Sequence, residues 1–597
     1  MRKYLSLFLV AAGAFAGPAG HPKLAHEFRA TALNSNGNLP VIVQWKHTPG
    51  AQHEAKIAAL GGTTAGRLHS AKAGLYHLSA SAVQALANDP EVAYISPDRP
   101  IHAHLDNTAG AINAAAAWGA GFTGSGIGVA VIDSGVNTDP NLGNGKAPVF
   151  SYDFTQTAAA QAAAAVLANI TAPLPANSKG INGIPAPDQF GHGQHVAGII
   201  ASNGVSSSCN TCKRTFKGVA YGVNLIDLKV LDANGQGTDS NVILAIDTAI
   251  ALKNVYNIRV INLSVGRPVY ESYTQDPLCQ AVEAAWNAGI VVVAAAGNDG
   301  RDNTYGEQGY GTINAPGNDP YVITVGAMKA EGTPTRSDDL VASYSSKGPT
   351  AVDHIVKPDL VAPGNLVVSL LANNSTLVKQ NPGNAVVMSY YQNVSGNNAT
   401  KVSNTYFTLS GTSMATPVVS AAVADLLQAN PKLTPDQVKA ILMQTAYKTF
   451  PDSSSVTDPG SGQTFVDYYD VFTVGAGYLD LGAALASVNT AVPAGTAMSP
   501  VAQMDPTTGN VSLVFDPSSI WSSRFMWGAN SVFGTRFMWG ASLTDTNQII
   551  WDTRSMWGAS STSGSSAIWG SRSMWGANTT DANRSMWGAS VAITGEQ

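Results

Sequence analysis

The chain predicts an α/β fold built on a parallel sheet, and three observations carry that expectation. Gly128-Val-Ala-Val-Ile-Asp133 and Ile290-Val-Val-Val-Ala-Ala-Ala-Gly297 are short apolar runs rich in β-branched residues, which read as buried parallel strands. Each is followed by a glycine turn, Ser134-Gly135 after the first and Gly297-Asn298-Asp299-Gly300 after the second. Two further segments use small residues to open apolar helices: Phe190-Gly-His192-Gly-Gln-His195-Val-Ala-Gly198, and Ser410-Gly-Thr-Ser413-Met-Ala-Thr-Pro417 with the run Val418 to Leu427 behind it.

Each element presents a polar side chain at its edge. Asp133 stands at the C-terminal end of its strand, and His192 opens its helix between glycines. Ser413 falls on the first turn of its helix, where unpaired N–H groups and the positive dipole end stabilise an oxyanion. A serine hydroxyl is a weak nucleophile unless a base removes its proton, and a carboxylate must hold that base in the correct tautomer. Asp133, His192 and Ser413 are the residue types this requires. Asn298 adds an amide placed to donate, with the Ser413 N–H, to the negative oxygen of a tetrahedral intermediate. Singly each has a bland reading, as a turn former or a helix cap. Jointly, with these flanks and this order, the bland readings lose ground.

Over residues 107 to 488 the sequence resembles the subtilisin family of serine endopeptidases, whose order of catalytic residues is Asp, His, Ser. The resemblance implies a doubly wound, mainly parallel sheet with helices on both faces. It implies that Asp133 orients, His192 acts as general base then acid, Ser413 attacks, and Asn298 completes the oxyanion hole. His195, second in its motif, is then a packing residue. The resemblance also implies a cleft in which two edge strands, bearing Gly235 and Gly237 and Ser264, Val265 and Gly266, clamp an extended peptide. Ala294 to Gly297, including Ala295, would line the primary pocket and leave room for large apolar side chains, with Asp299 biasing its rim toward basic ones. A cis Ala315-Pro316 bond is expected beside it.

The chain also departs from the family. The interval from Asp133 to His192 holds the alanine-rich stretch 158–168, expected to be an added surface helix. A second insertion, about Asn373 to Thr405, precedes the nucleophile and is expected to border the leaving-group side. Where many members carry a calcium loop after the histidine helix, this chain has Asn203-Gly-Val-Ser-Ser-Ser-Cys209-Asn-Thr-Cys212, with no oxygen array spaced for calcium. No metal ligand is assigned and no cofactor is required for the chemistry; structural calcium cannot be assigned from sequence. Cys209 and Cys212 lack the second pair a zinc site needs, so a short-range disulfide is the favoured reading, with Cys279 a buried free thiol.

Met1-Arg-Lys3 followed by the apolar run Tyr4 to Ala16 reads as a secretory signal peptide within residues 1–20, which implies an extracellular protein, either free or associated with the cell surface. No other apolar run is long enough to span a bilayer. With 12% charged residues and a net charge of −6, nothing suggests a nucleic-acid surface. Residues 21–105 are expected to be a propeptide, folded over about 38–104 as strand, helix, strand, helix, strand. This resembles the family's inhibitory propeptide, which implies an intramolecular inhibitor whose tail near His102 to Leu105 fills the cleft. The catalytic domain then spans 106–488, a Ser/Pro/Gly/Ala-rich linker 489–519, and a repeat region 520–597.

In that last region Arg524-Phe-Met-Trp-Gly-Ala529 recurs in closely similar form from Arg536, Arg554, Arg572 and Arg584, and all eight tryptophans from Trp521 to Trp587 lie multiples of six apart. An even period puts such rings on one side of an extended chain, so a β-rich repeat is expected. Its role stays open among a structural ladder, binding of cell-envelope polysaccharide or insoluble substrate, and an export signal. The reading is a secreted serine endopeptidase acting on protein or peptide by the acyl-enzyme route, with broad specificity. The alternatives are a noncatalytic surface-binding protein on a protease scaffold and a narrow-specificity processing protease.

Overall fold

The computed structural model describes residues 23–24, 38–68, 72–97, 105–142, 147–155, 183–302, 308–458, 462–490, 492, 495–504, 511–520 and 596. The signal peptide, the 158–168 stretch and the tryptophan repeats lie outside these. Two compact units divide the chain, residues 1–102 and 103–597.

The first unit is a four-stranded antiparallel sheet in the order Thr63–Leu68, Ala73–Leu78, Leu39–Trp45, Val92–Pro97, with helices Ala51–Ala59 and Ala80–Ala87. The expected three strands and two helices are present. The additional strand, Thr63–Leu68, pairs irregularly, with a register shift between Thr64 and Gly66. Such an interrupted edge lacks the clean alternation that marks a strand in sequence.

The second unit is organised by a sheet of eight strands: β1 Gly128–Asp133, β2 Phe150–Asp153, β3 Asn224–Lys229, β4 Ile258–Leu263, β5 Val291–Ala295, β6 Ile323–Lys329, β7 Leu340–Val341 and β8 Leu360–Pro363. The path runs β7-β6-β5-β4-β1-β3-β2, with β8 also pairing β6; every pairing is parallel except β6 with β7. All residues of β1 and β5 are buried, which explains their unbroken apolar runs, since each fully buried Val or Ile contributes about 1.5–3 kcal/mol. Successive strands leave β1 first toward β3 and β2, then toward β4 and β5. A sheet that reverses direction this way opens a crevice at the C-terminal strand ends beside β1.

Four helices matter for that crevice: α1 His192–Ala201, α2 Asp239–Ala251, α3 Pro277–Asn287 and α4 Thr412–Ala429. The 373–405 insertion folds with Val402–Leu409 into a small sheet beside Val367–Leu370. It packs against the segment leading to His192, through Thr376 and Leu377 N–H groups bonded to the Gln189 and Phe190 carbonyls. Residues 489–519, expected to be a linker, hold an antiparallel hairpin, Val501–Met504 with Val511–Val514. Its root is fixed by Ser499, which donates to the buried Asp359 carboxylate, itself flanked by Lys357 and Lys439.

Candidate active site

Asp133 closes β1 and is almost fully buried, and its two carboxylate oxygens lie 2.8 and 3.0 Å from Nδ1 of His192. The imidazole opens α1 behind Gly191, whose φ of +108° requires glycine. The two turns touch. A Cβ on Gly193 would sit 2.3 Å from the Gly135 carbonyl oxygen, so only glycine lets the strand end approach the helix this closely.

Sequence reasoning missed the group that fastens these turns together. Asp188 is buried and accepts from the Gly191 and Gln194 N–H groups at 2.7 and 2.8 Å and from the Ser134 hydroxyl at 2.9 Å. The Ser134 oxygen in turn accepts from the Gly193 N–H at 2.8 Å. A carboxylate just ahead of a helix is the usual capping signal, and its position four residues before His192 would have revealed it. Burial pushes the Asp188 carboxyl up, and the hydrogen bonds only partly offset this.

The two histidines of α1 sit in opposite fields. Burial pulls His192 down, but the charge and hydrogen bond of Asp133, with a smaller contribution from Asp188, outweigh it and leave the imidazole above its ordinary value. His195 is pulled down to about 3 by burial and by the neighbouring His192. Its Nε2 lies 3.1 Å from both the Val367 and Phe407 carbonyl oxygens, tying α1 to the small sheet. It is the packing residue the sequence suggests.

Ser413 stands in the first turn of α4, behind Gly411. Pro417 has no N–H to give to the carbonyl four residues earlier, which is that of Ser413. The Ser264 hydroxyl supplies the bond instead, at 2.8 Å, while the Ser413 hydroxyl donates to the Ser264 carbonyl at 3.0 Å. Asn262 and Ser420 extend this pairing between β4 and α4. Asn298 follows β5, and its side-chain oxygen accepts from the Thr412 N–H at 2.9 Å and its hydroxyl at 3.1 Å. That fixes the amide so that its nitrogen is turned away from Thr412, a role for Thr412 that its sequence context does not announce.

Val265 is buried and Gly266 close-packed, its Cβ position 3.1 Å from the Ala315 oxygen. Arg267 locks this segment, exchanging backbone bonds with Ala315 and pairing with Asp239 on α2 and Asp276 before α3. Gly235 and Gly237 lie in a turn after β3, where Gly235 takes φ +76° against the Phe190 ring. Ala294 and Ala295 are buried, Gly297 has φ +109°, and across from them Asn314 donates to Asp299 at 3.2 Å. Ala315-Pro316 is cis, as expected. Cys209 and Cys212 form a disulfide, and Cys279 is a buried free thiol that donates to Asn318. Among the described residues no group of three or more His, Cys, Asp or Glu is placed to hold a metal ion, and no helix is long and apolar enough to cross a membrane.

A parallel sheet with a carboxylate, an imidazole and a helix-borne serine at its C-terminal edge defines an α/β serine hydrolase architecture. Comparison with known proteins narrows this: the family model described as Subtilase family matches residues 124–469. Serine protease AprX of Bacillus subtilis (strain 168) is 32% identical over 74% of this chain and 90% of its own length. Subtilisin E of the same organism is 31% identical over 70% of this chain and 87% of its own. The Extracellular serine proteinase of Thermus sp. (strain Rt41A) is 31% identical over 60% and 67%. The chain belongs to the subtilase family and is a subtilisin-like serine endopeptidase.

Proposed function

We propose that Ser413, His192 and Asp133 carry out peptide hydrolysis through an acyl-enzyme, with Asn298 and the Ser413 N–H as the oxyanion hole. The observation that carries this is the Asp133–His192 contact at 2.8 Å. With the carboxylate on Nδ1, that nitrogen keeps its proton and Nε2 is the basic one. The Ser413 hydroxyl turns from the Ser264 carbonyl, passes its proton to Nε2 and bonds to the peptide carbonyl carbon. The resulting oxyanion is met by the Asn298 amide and the Ser413 N–H at the positive end of α4. His192 then protonates the departing amine, and water attacks the ester by the reverse sequence.

Substrate is read as an extended peptide beside 235–237 and 264–266, with broad specificity because backbone pairing reads chain shape. The walls at Ala294, Ala295 and Gly297 suit large apolar side chains, and Asp299 at the rim adds a preference for basic ones. We further propose that residues 1–20 direct secretion, that 21–105 form an inhibitory propeptide, and that the tryptophan repeats contact the cell envelope or polysaccharide. The central test is labelling by a phosphonate serine probe. Wild-type mature protein should label and Ser413→Ala should not; labelling that survives the substitution removes Ser413 from its role. Cleavage-site profiling in a peptide mixture separates broad specificity from narrow processing.

A further inference from the structure

Glu596, the penultimate residue, lies against the second unit in surroundings no protease step uses. It is buried, and its Oε1 accepts from the Arg301 guanidinium at 2.7 Å, from the Ser343 N–H at 2.9 Å and from the Ser343 hydroxyl. Oε2 faces Lys329 Nζ at 3.9 Å. Its main chain is also held twice by one side chain: the N–H donates to Asn365 Oδ1 at 3.0 Å, and the carbonyl accepts from Asn365 Nδ2 at 2.8 Å. A carboxylate taken out of water without partners is strongly unfavourable, so two cations and two donors converging on it indicate a matched site. Arg301 is itself fixed, with Nε bonded to Ser343 Oγ at 2.6 Å and its guanidinium 4.9 Å over the Phe465 ring.

We infer that Arg301, Lys329, Ser343 and Asn365 form a receptor for a glutamate, gripping both its carboxylate and its main chain, filled in cis by Glu596. Ile520, buried with Val356, Ala497 and Ala502, is likewise fixed within the second unit. The receptor walls also continue into the candidate site. Ser346, three residues past Ser343, bonds Gly297 and Asp299 on either side of Asn298, and the residues flanking Asn365 bond Ser410 and Gly411 ahead of Ser413. An occupied receptor therefore braces both loops that seat the oxyanion donor and the nucleophile.

The test uses the full chain carrying Ser413→Ala, with and without Arg301→Ala or Glu596→Gln. Carboxypeptidase should remove Gln597 and stall at Glu596 in the parent, and trim at least tenfold faster through the Arg301→Ala chain, which keeps the same C-terminal residues. Hydrogen exchange at the Ser343 N–H should accelerate at least tenfold in both variants while β1 and β5 stay protected, which shows the fold is intact. Equal trimming in parent and Arg301→Ala, or unchanged Ser343 exchange in Glu596→Gln, overturns the receptor. Neither readout depends on peptidase activity, and the intact mass of the Ser413→Ala chain reports separately on whether Ser413 is the nucleophile.

Discussion

His192 and His195 share one helix and stand three residues apart, yet they answer to opposite fields. His192 faces a buried carboxylate and is held above its ordinary pKa, whereas His195 faces two carbonyls and is pulled down to about 3. His195 is fully buried, whereas the His192 side chain keeps a partial opening to solvent. Burial alone would make both neutral and inert, so the formal charge of Asp133, supported by the Asp188 network, is what separates a base from a packing residue. The sharpest way to break the comparison is substitution. Ser413→Ala or His192→Ala should lower kcat by about 10^6, a magnitude borrowed from subtilisin itself. His195→Leu should leave kcat within about threefold while lowering stability by about 1–3 kcal/mol, because it orphans buried carbonyls. Steady-state kinetics and urea unfolding on the same preparations check both.

Asn298→Ala is the next largest expected effect, a loss of about 10^2–10^3 in kcat with KM little changed, again a figure taken from subtilisin. A loss confined to KM would mean that the amide binds ground state and transition state alike.

pH separates the two histidines without mutation. The reaction needs neutral His192, so kcat/KM should fall about tenfold per pH unit below a midpoint that lies above the ordinary 6.5. For stability the signs reverse between the pair. His192, raised in the folded state, contributes stability that is fully present below about 6.5 and is lost as pH rises through its folded pKa. His195, depressed to about 3, leaves the unfolded chain with the extra proton between there and 6.5, so it removes about 1.4 kcal/mol of stability per unit as pH falls through that window. Thermal unfolding of His195→Leu across pH 4 to 7 should therefore show a flatter acid slope than wild type. Parallel slopes would mean His195 is solvated.

What could be read beforehand follows the same division between local and non-local causes. β1 and β5 announce themselves because burial on both faces demands unbroken β-branched runs, and Asp133 and Asn298 stand where those runs stop. The helix after Ser413 is equally legible from small residues giving way to apolar ones. The capping half of the Asp188 role is local and legible, but its bond to Ser134 and the hold of Thr412 on Asn298 join residues far apart in sequence, and nothing beside them identifies those partners. The 501–514 hairpin was hidden because Gly, Pro and Ser composition suggests a linker, while its anchoring comes from distant groups, the His354 carbonyl and Asp359. The site of Glu596 is the extreme case, assembled from residues 301, 329, 343 and 365.

The smallest expected effect concerns a carboxylate placed unlike Asp133. Asp299, proposed for the rim of the primary pocket, is exposed, and it is held by the Asn314 amide and, through its N–H, by Ser346 Oγ. An exposed charge pair contributes about 0.2–1 kcal/mol, so Asp299→Ser should reduce kcat/KM for lysine at the cleaved position by up to about fivefold. The same substitution should leave leucine substrates unchanged. The lysine advantage should also shrink in about 1 M salt, where the Debye length falls to about 3 Å, whereas the His192 pH midpoint should barely move because its partner is buried. If salt moved both equally, Asp133 would have to be as open to ions as Asp299, and the contrast between buried and exposed carboxylates would fail at its root.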